Sequence, residues 1–255
     1  MITSDFKLDA RRKLDGKWGK AALIALAYLV VFFVIGFIFG LMPDNMSSIL
    51  SIIESIIEVP LSFGLIIAYY KLFNGEDVSA FDFISLGFDK FSKAWSITFN
   101  IFLKMLAPIA LMIISYLVII GGLVGTSVSV LSLRDSISSG FGFVSVVGVI
   151  LIIASSIWMV TKSFYYSLAF IVAADDDTLS GKEAVEKSEE LMQGNRSKLF
   201  ILQLSFIGWA ILAACTFGIG MLWLTPYIQF ATISFFNFVA GKPVETDSLN
   251  ENTEE

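Results

Sequence analysis

From Leu199 to Gly241 the chain runs for 43 residues without an Asp, Glu, Lys or Arg, with Lys198 closing the stretch on one side and Lys242 on the other. A helix needs only about 20 apolar residues to cross roughly 30 Å of hydrocarbon, so the run is long enough for two crossings. Thr216-Phe217-Gly218-Ile219-Gly220 sits near its middle, and paired glycines mark a tight reversal. The stretch predicts a helical hairpin, Lys198–Phe217 going out and Met221–Ala240 coming back. Hydrophobic residues make up 56% of the chain and charged residues 16%, which points to lipid as the solvent.

Four further apolar stretches extend this pattern toward the N-terminus. Spans are expected at about 20–40, 48–70, 96–120, 145–173, 198–217 and 221–240. Residues 1–240 then form one integral membrane domain, and 241–255 an acidic, disordered tail. The run Ala21–Met42 is too long for the apolar region of a cleavable signal and reads as a retained first span. Breaks fall at Pro43-Asp44-Asn45, at Asn74-Gly75-Glu76-Asp77, in a Gly- and Ser-rich loop over 121–140, and at Asp175-Asp176-Asp177. Segments on the N-terminal side of the membrane carry 14 Lys or Arg, and the opposite loops carry Arg134 alone. That asymmetry puts both termini in the cytoplasm.

Short amphipathic helices precede the hairpins. Phe6, Ala10, Leu14 and Trp18 share one helix face, with Lys7, Arg11, Arg12, Lys13 and Lys17 around the rest. Such a helix lies in the headgroup plane and favours anionic lipid; the competing reading is a solvated lead-in whose lysines only fix topology. Phe81, Ile84, Phe88, Phe91 and Trp95 form a second stripe, with Asp82, Ser85 and Asp89 off it. A third helix starts with the capping box Ser180-Gly181-Lys182-Glu183, presents Ala184, Val185, Ser188, Leu191 and Met192, and stops at Gly194. The fold class is therefore all-α: a polytopic membrane protein with six transmembrane helices arranged as three hairpins, each with a short cytoplasmic amphipathic helix.

The hairpins share local detail. Gly16-Lys17 and Lys20 precede span 1 as Gly194 and Lys198 precede span 5. Pro60 stands fifteen residues before Gly75, and Pro226 fifteen before Gly241, with Tyr69-Tyr70 and Phe235-Phe236 at matching offsets. Three parallel helix-plus-hairpin units about an axis normal to the membrane would explain this; chance matching in a Gly- and Phe-rich sequence competes, and the middle unit fits less well.

Several stretches also resemble a known family. They are Lys162-Ser163-Phe164-Tyr165-Tyr166-Ser167-Leu168-Ala169, Leu191-Met192-x-Gly194, Lys198-Leu199-Phe200, Leu204-Ser205-Phe206-Ile207-Gly208-Trp209, Gly218-Ile219-Gly220 and Thr225-Pro226-Tyr227-Ile228. With Ala10-Arg11 and Leu14-x-Gly16-x-Trp18-Gly19-Lys20, they are similar to an uncharacterised integral-membrane family of Gram-positive bacteria, domain of unknown function nine hundred seventy-five. Trp158-Met159 stands where members of that family carry Pro-Gly. The resemblance implies a fold and a bacterial cytoplasmic membrane location, and no activity.

Chemistry-bearing residues are few. The chain has no His, which removes the commonest general base and metal ligand, and its single Cys, Cys215, lies in the apolar run as a small hydrophobe. No nucleotide, nucleophile-elbow or zinc motif is present. No catalytic residue, cofactor or metal is expected, and Asp175-Asp176-Asp177 reads as a solvated loop, because consecutive carboxylates diverge. Glu54, Glu58, Lys104 and Lys162 fall inside apolar spans, where a charge costs a few kcal/mol unless paired or wet. A Glu58–Lys162 pair is expected, with Glu54 or Lys104 as alternates, either holding helices together or lining a polar path. The expected function is that of a non-enzymatic, envelope-associated scaffold or partner-binding membrane protein. The alternative is a small translocator or channel for ions, peptides or lipids. Expected partners are the lipid bilayer, with anionic headgroups at the N-terminal helix, and a membrane protein or a second copy, and not nucleic acid.

Overall fold

The computed structural model describes residues 2–43, 46–131 and 135–244. Asp44 and Asn45 of the expected turn, Arg134, and the acidic tail from 245 onward lie outside the described residues. Those described form helices only: α1 Thr3–Leu14, α2 Trp18–Gly40, α3 Ser47–Phe73, α4 Asp82–Asp89, α5 Phe91–Leu131, α6 Asp135–Tyr166, α7 Ala169–Asp175, α8 Gly181–Met192, α9 Arg196–Leu204, α10 Ile207–Cys215 and α11 Met221–Val239. Among them, five stretches are long and apolar enough to cross a membrane: Trp18–Gly40, Ser48–Phe73, Phe91–Gly125, Gly142–Asp175 and Arg196–Cys215.

Helix α11, the expected sixth span, is not among the five. It forms over nearly the residues expected, but it carries Gln229, Thr232, Ser234 and Asn237. Its buried positions run from Leu224 to Asn237, so protein surrounds much of its length and its sequence is less apolar than a lipid-facing helix. The expected loop over 121–140 is also corrected. α5 continues to Leu131 and α6 begins at Asp135. Serines are tolerated there because a hydroxyl can bond its own helix, as Ser127 Oγ does to the Leu123 carbonyl at 2.9 Å. α3 continues through Pro60 and α6 through Trp158-Met159. Span 5 divides at Ser205-Phe206 into α9 and α10, and Phe217 and Gly218, at φ 53° and 84°, make the reversal before α11.

The chain forms two compact units. The second, Phe99–Tyr166, is the hairpin of α5 and α6. A Cβ on Gly148 would lie 3.0 Å from the Ile119 nitrogen and 3.3 Å from the Ser115 carbonyl, so the absence of a side chain lets the two helices close up. Ser115 and Ser155 are fully buried nearby and satisfy their hydroxyls on the carbonyls of Leu111 and Ile152.

The first unit holds residues 1–98 and 167–255. Three short helices there are built alike. The Ile2 N–H donates to Asp5 at 2.8 Å and the Ser180 N–H to Glu183 at 2.8 Å, so an acid satisfies the N-cap amide of α1 and α8; the Ser79 N–H donates to Asp82, the first residue of α4, at 2.7 Å and holds the turn that leads into it. The residue after each acid is buried (Phe6, Phe83, Ala184), as is a small residue four further on (Ala10, Gly87, Ser188). Each helix then packs on the return helix of the preceding unit: α4 on α3, α8 on α7, and α1 on α11. These contacts close a ring.

Helices α1 and α4 depart from the expected interfacial placement of their stripes. The apolar face of α1 is covered by protein: Phe6 packs its ring 5.5 Å from both Phe235 and Phe238. On α4 the buried pair is Phe83 and Gly87, while Phe81, Phe88 and Phe91 of the expected stripe are exposed. The reason is steric. A Cβ on Gly64 would overlap the Phe83 carbonyl and lie 2.7 Å from the Gly87 nitrogen, and one on Gly87 would overlap the Pro60 carbonyl. Backbones this close select the glycine face of α4 over its aromatic face.

Candidate functional site

Where the ring closes, three return helices bring their C-terminal ends together. Tyr70 at the end of α3 donates its hydroxyl to Asp175 at the end of α7, and Lys242 just past α11 pairs with the same carboxylate. Burial disfavours the charged Lys242, but its hydrogen bond and charge pairing with Asp175, together with Tyr70, hold its pKa above the ordinary lysine value. Beside this cluster lies a polar pocket of about 290 Å³ lined by Asp9, Lys13, Tyr70, Asn74, Asn237 and Lys242. Below it the junction is filled: Tyr69, Phe230, Phe235 and Phe236 are buried, with Tyr69 and Phe230 edge to face at 6.3 Å.

The three consecutive aspartates, expected as one solvated loop, separate: Asp175 closes α7, and Asp176 and Asp177 lie beyond it. Asp175 joins the cluster, Asp176 accepts from the Thr178 amide and hydroxyl at 2.9 and 2.6 Å, and Asp177 pairs with Lys90 at 2.7 Å and Lys93 at 3.2 Å. Lys93 also donates to the carbonyls of Ala173, Asp176 and Asp177 at 3.1–3.2 Å, which caps the C-terminus of α7. Lys17 does the same for α3 through the Leu72 carbonyl at 3.1 Å. Lys20 pairs with Asp77 as Lys93 pairs with Asp177, each joining the start of an outgoing helix to the segment after its return helix.

A second cavity, of about 370 Å³, lies between the end of α1, the start of α2, and the α10–α11 reversal. Arg11, Trp18, Trp209, Leu212, Trp223 and Tyr227 are among its walls. Arg11 donates Nε–H to the Tyr227 hydroxyl at 3.0 Å and lies 5.5 Å from the ring centroid. Thr216, on the floor, is occupied by its own turn: its hydroxyl donates to the Ala213 carbonyl at 2.7 Å and accepts from the Gly220 amide at 2.8 Å. The readable signal was that Trp209 and Trp223 flank one reversal.

The four charges expected within spans divide between the units. Glu54 and Glu58 belong to the first, on the N-terminal half of α3. Lys104 and Lys162 belong to the second, and each meets a tyrosine face at the same end of the hairpin: Lys104 lies 5.7 Å from the Tyr166 ring and Lys162 lies 5.9 Å from the Tyr165 ring. Cation–π contact is one way to hold an ammonium against an apolar helix.

These features define a class: an all-helical protein with five helices long and apolar enough to cross a membrane. Residues 1–242 match the family model described as Protein of unknown function (DUF975), and the chain belongs to that family. No curated protein and no solved structure matches the chain.

Proposed function

We propose that the protein is a non-enzymatic scaffold of a bacterial cytoplasmic membrane, crossing it six times with both ends cytoplasmic and holding a partner by its surface. The observation that carries this reading is the filled ring. Helices α3 and α11 meet on buried aromatic side chains, Tyr69, Phe230, Phe235 and Phe236, and the end of α7 joins them through one shared carboxylate, Asp175. A junction built of buried aromatic side chains favours a structural role over a polar path. The exposed Phe81, Phe88 and Phe91 supply apolar surface for lipid or a partner.

Copurification from mild detergent tests the reading, and a stoichiometric membrane-protein partner or a defined dimer is the expected result. Vesicles containing the pure protein should pass ions and peptides no faster than empty vesicles. A flux that disappears in Glu58→Gln would replace scaffolding with translocation. Topology is tested with Phe217→Cys in a Cys215→Ala background. Phe217 is fully exposed at the α10–α11 reversal, so a membrane-impermeant maleimide should label it from outside intact cells. Labelling only after the cells are opened would overturn the six-crossing topology.

A further inference from the structure

We propose that the cavity between Arg11 and the α10–α11 reversal holds one anionic phospholipid, its phosphate on Arg11 and an acyl chain among Trp18, Trp209 and Trp223; this rests on the membrane reading above. The argument starts from the repeated design. Arg11 stands six residues after the helix-starting acid Asp5, and the same place is filled by Phe88 after Asp82 and by Glu189 after Glu183. Tyr227 follows the helix proline Pro226, where Leu61 follows Pro60. One joint of three therefore combines a guanidinium with a tyrosine, at positions where the repeated scaffold uses other side chains.

The chemistry at that joint selects an amphiphile. Tyr227 engages Arg11 through Nε, which leaves the two terminal amino groups, the pair that grips a phosphate in a fork. Arg11 is exposed and so accessible to a headgroup. Beyond it the walls are carbon: Thr216 is satisfied by its own turn, and Leu212, Trp209 and Trp223 are 60%, 52% and 48% exposed. A volume of about 370 Å³ lies in the range of about 300–1,000 Å³ typical of small-molecule sites.

The test uses the full chain in phosphatidylcholine vesicles and reads tryptophan quenching by brominated lipid. Brominated phosphatidylglycerol should associate about fivefold more strongly than brominated phosphatidylcholine with the same chains. Arg11→Gln should abolish that preference, and Arg12→Gln on the same helix should leave it. Equal quenching by the two lipids in the native protein would overturn the proposal. So would a preference that survives Arg11→Gln, or one that Arg12→Gln removes equally, since either reports only general surface charge. Leu212→Phe narrows the cavity from an exposed position that does not endanger folding, and it should reduce the preference with Arg11 intact. Retention of the full preference in that variant would also overturn it. Glycerol phosphate should not compete; loss of the preference in its presence would assign the site to a free phosphate compound and overturn the lipid. None of these outcomes bears on partner copurification, so this site and the scaffold reading fail separately.

Discussion

Asp177 shows how one residue in the apparently inert aspartate run carries structure. The Lys90 hydrogen bond, and after it Lys93, hold its carboxyl below the ordinary carboxylate range against the opposing effect of burial. A lowered folded-state pKa means that the stabilisation is fully present above the unfolded value and is lost as pH falls through the folded one. The side chain is 64% exposed, so solvent screening limits the contribution to about 0.2–1 kcal/mol. Asp177→Asn should lower the melting temperature slightly at neutral pH and remove that part of the acid sensitivity below the ordinary carboxylate range. Thermal melting in detergent across pH checks this; an unchanged acid profile would mean the pair contributes nothing. The run was readable as the end of a helix and the start of a loop. Which lysines it meets was not, because Lys90 and Lys93 lie more than eighty residues earlier in the chain.

At the scale of elements, the joints between short helices and return helices decide stability. Gly64→Ala or Gly87→Ala places a methyl group inside a backbone carbonyl of the facing helix, and overpacking of this kind costs about 1–3 kcal/mol. Gly19→Ala, on the helical start of α2 with nothing within 4 Å of the added carbon, should be neutral or slightly stabilising. A chemical-denaturation series in detergent would separate the two cases. Phe6→Ala opens the α1–α11 joint, and loss of a buried Phe costs about 3–5 kcal/mol. Were α1 lying in the headgroup plane instead, the same change would weaken lipid binding and leave the melting temperature alone. The helix-starting acids Asp5, Asp82 and Glu183 and the small residues Ala10, Gly87 and Ser188 were present in the sequence as a shared pattern. The α4 copy was obscured by the more conspicuous Phe81, Phe88 and Phe91 stripe, which does not dock on α3.

For the whole molecule, the ring explains why so distant a pair as Arg11 and Tyr227, 216 residues apart, is in hydrogen-bond contact. Each unit lends its first helix to its predecessor, and the last return helix receives the first helix of the chain. Removing residues 1–15 should therefore expose the aromatic face of α11, including Phe235, and turn a monodisperse protein into aggregate on size exclusion. A truncated chain that stays monodisperse with an unchanged melt would mean the ring need not close for the fold to hold. The hairpin 99–166 contributes its own small-residue contact at Gly148.

By itself the sequence determined the presence of helices apolar enough to cross a membrane, the helical class and the approximate positions of the helices. Each follows from local quantities: the length of a charge-free run, the spacing of apolar residues, an acid three residues after a helix start, and a glycine past its end. The Ser180–Glu183 box and the stop at Gly194 are read in full from such neighbours. Tertiary structure decided which apolar faces meet protein and which remain exposed. Periodicity is blind to this choice, because acyl chains and packed side chains are almost equally apolar and an amphipathic face suits either. For α1 the choice fell to Phe235 and Phe238, for α4 to the bare backbone at Gly64, and with those joints came the cavity beside Arg11.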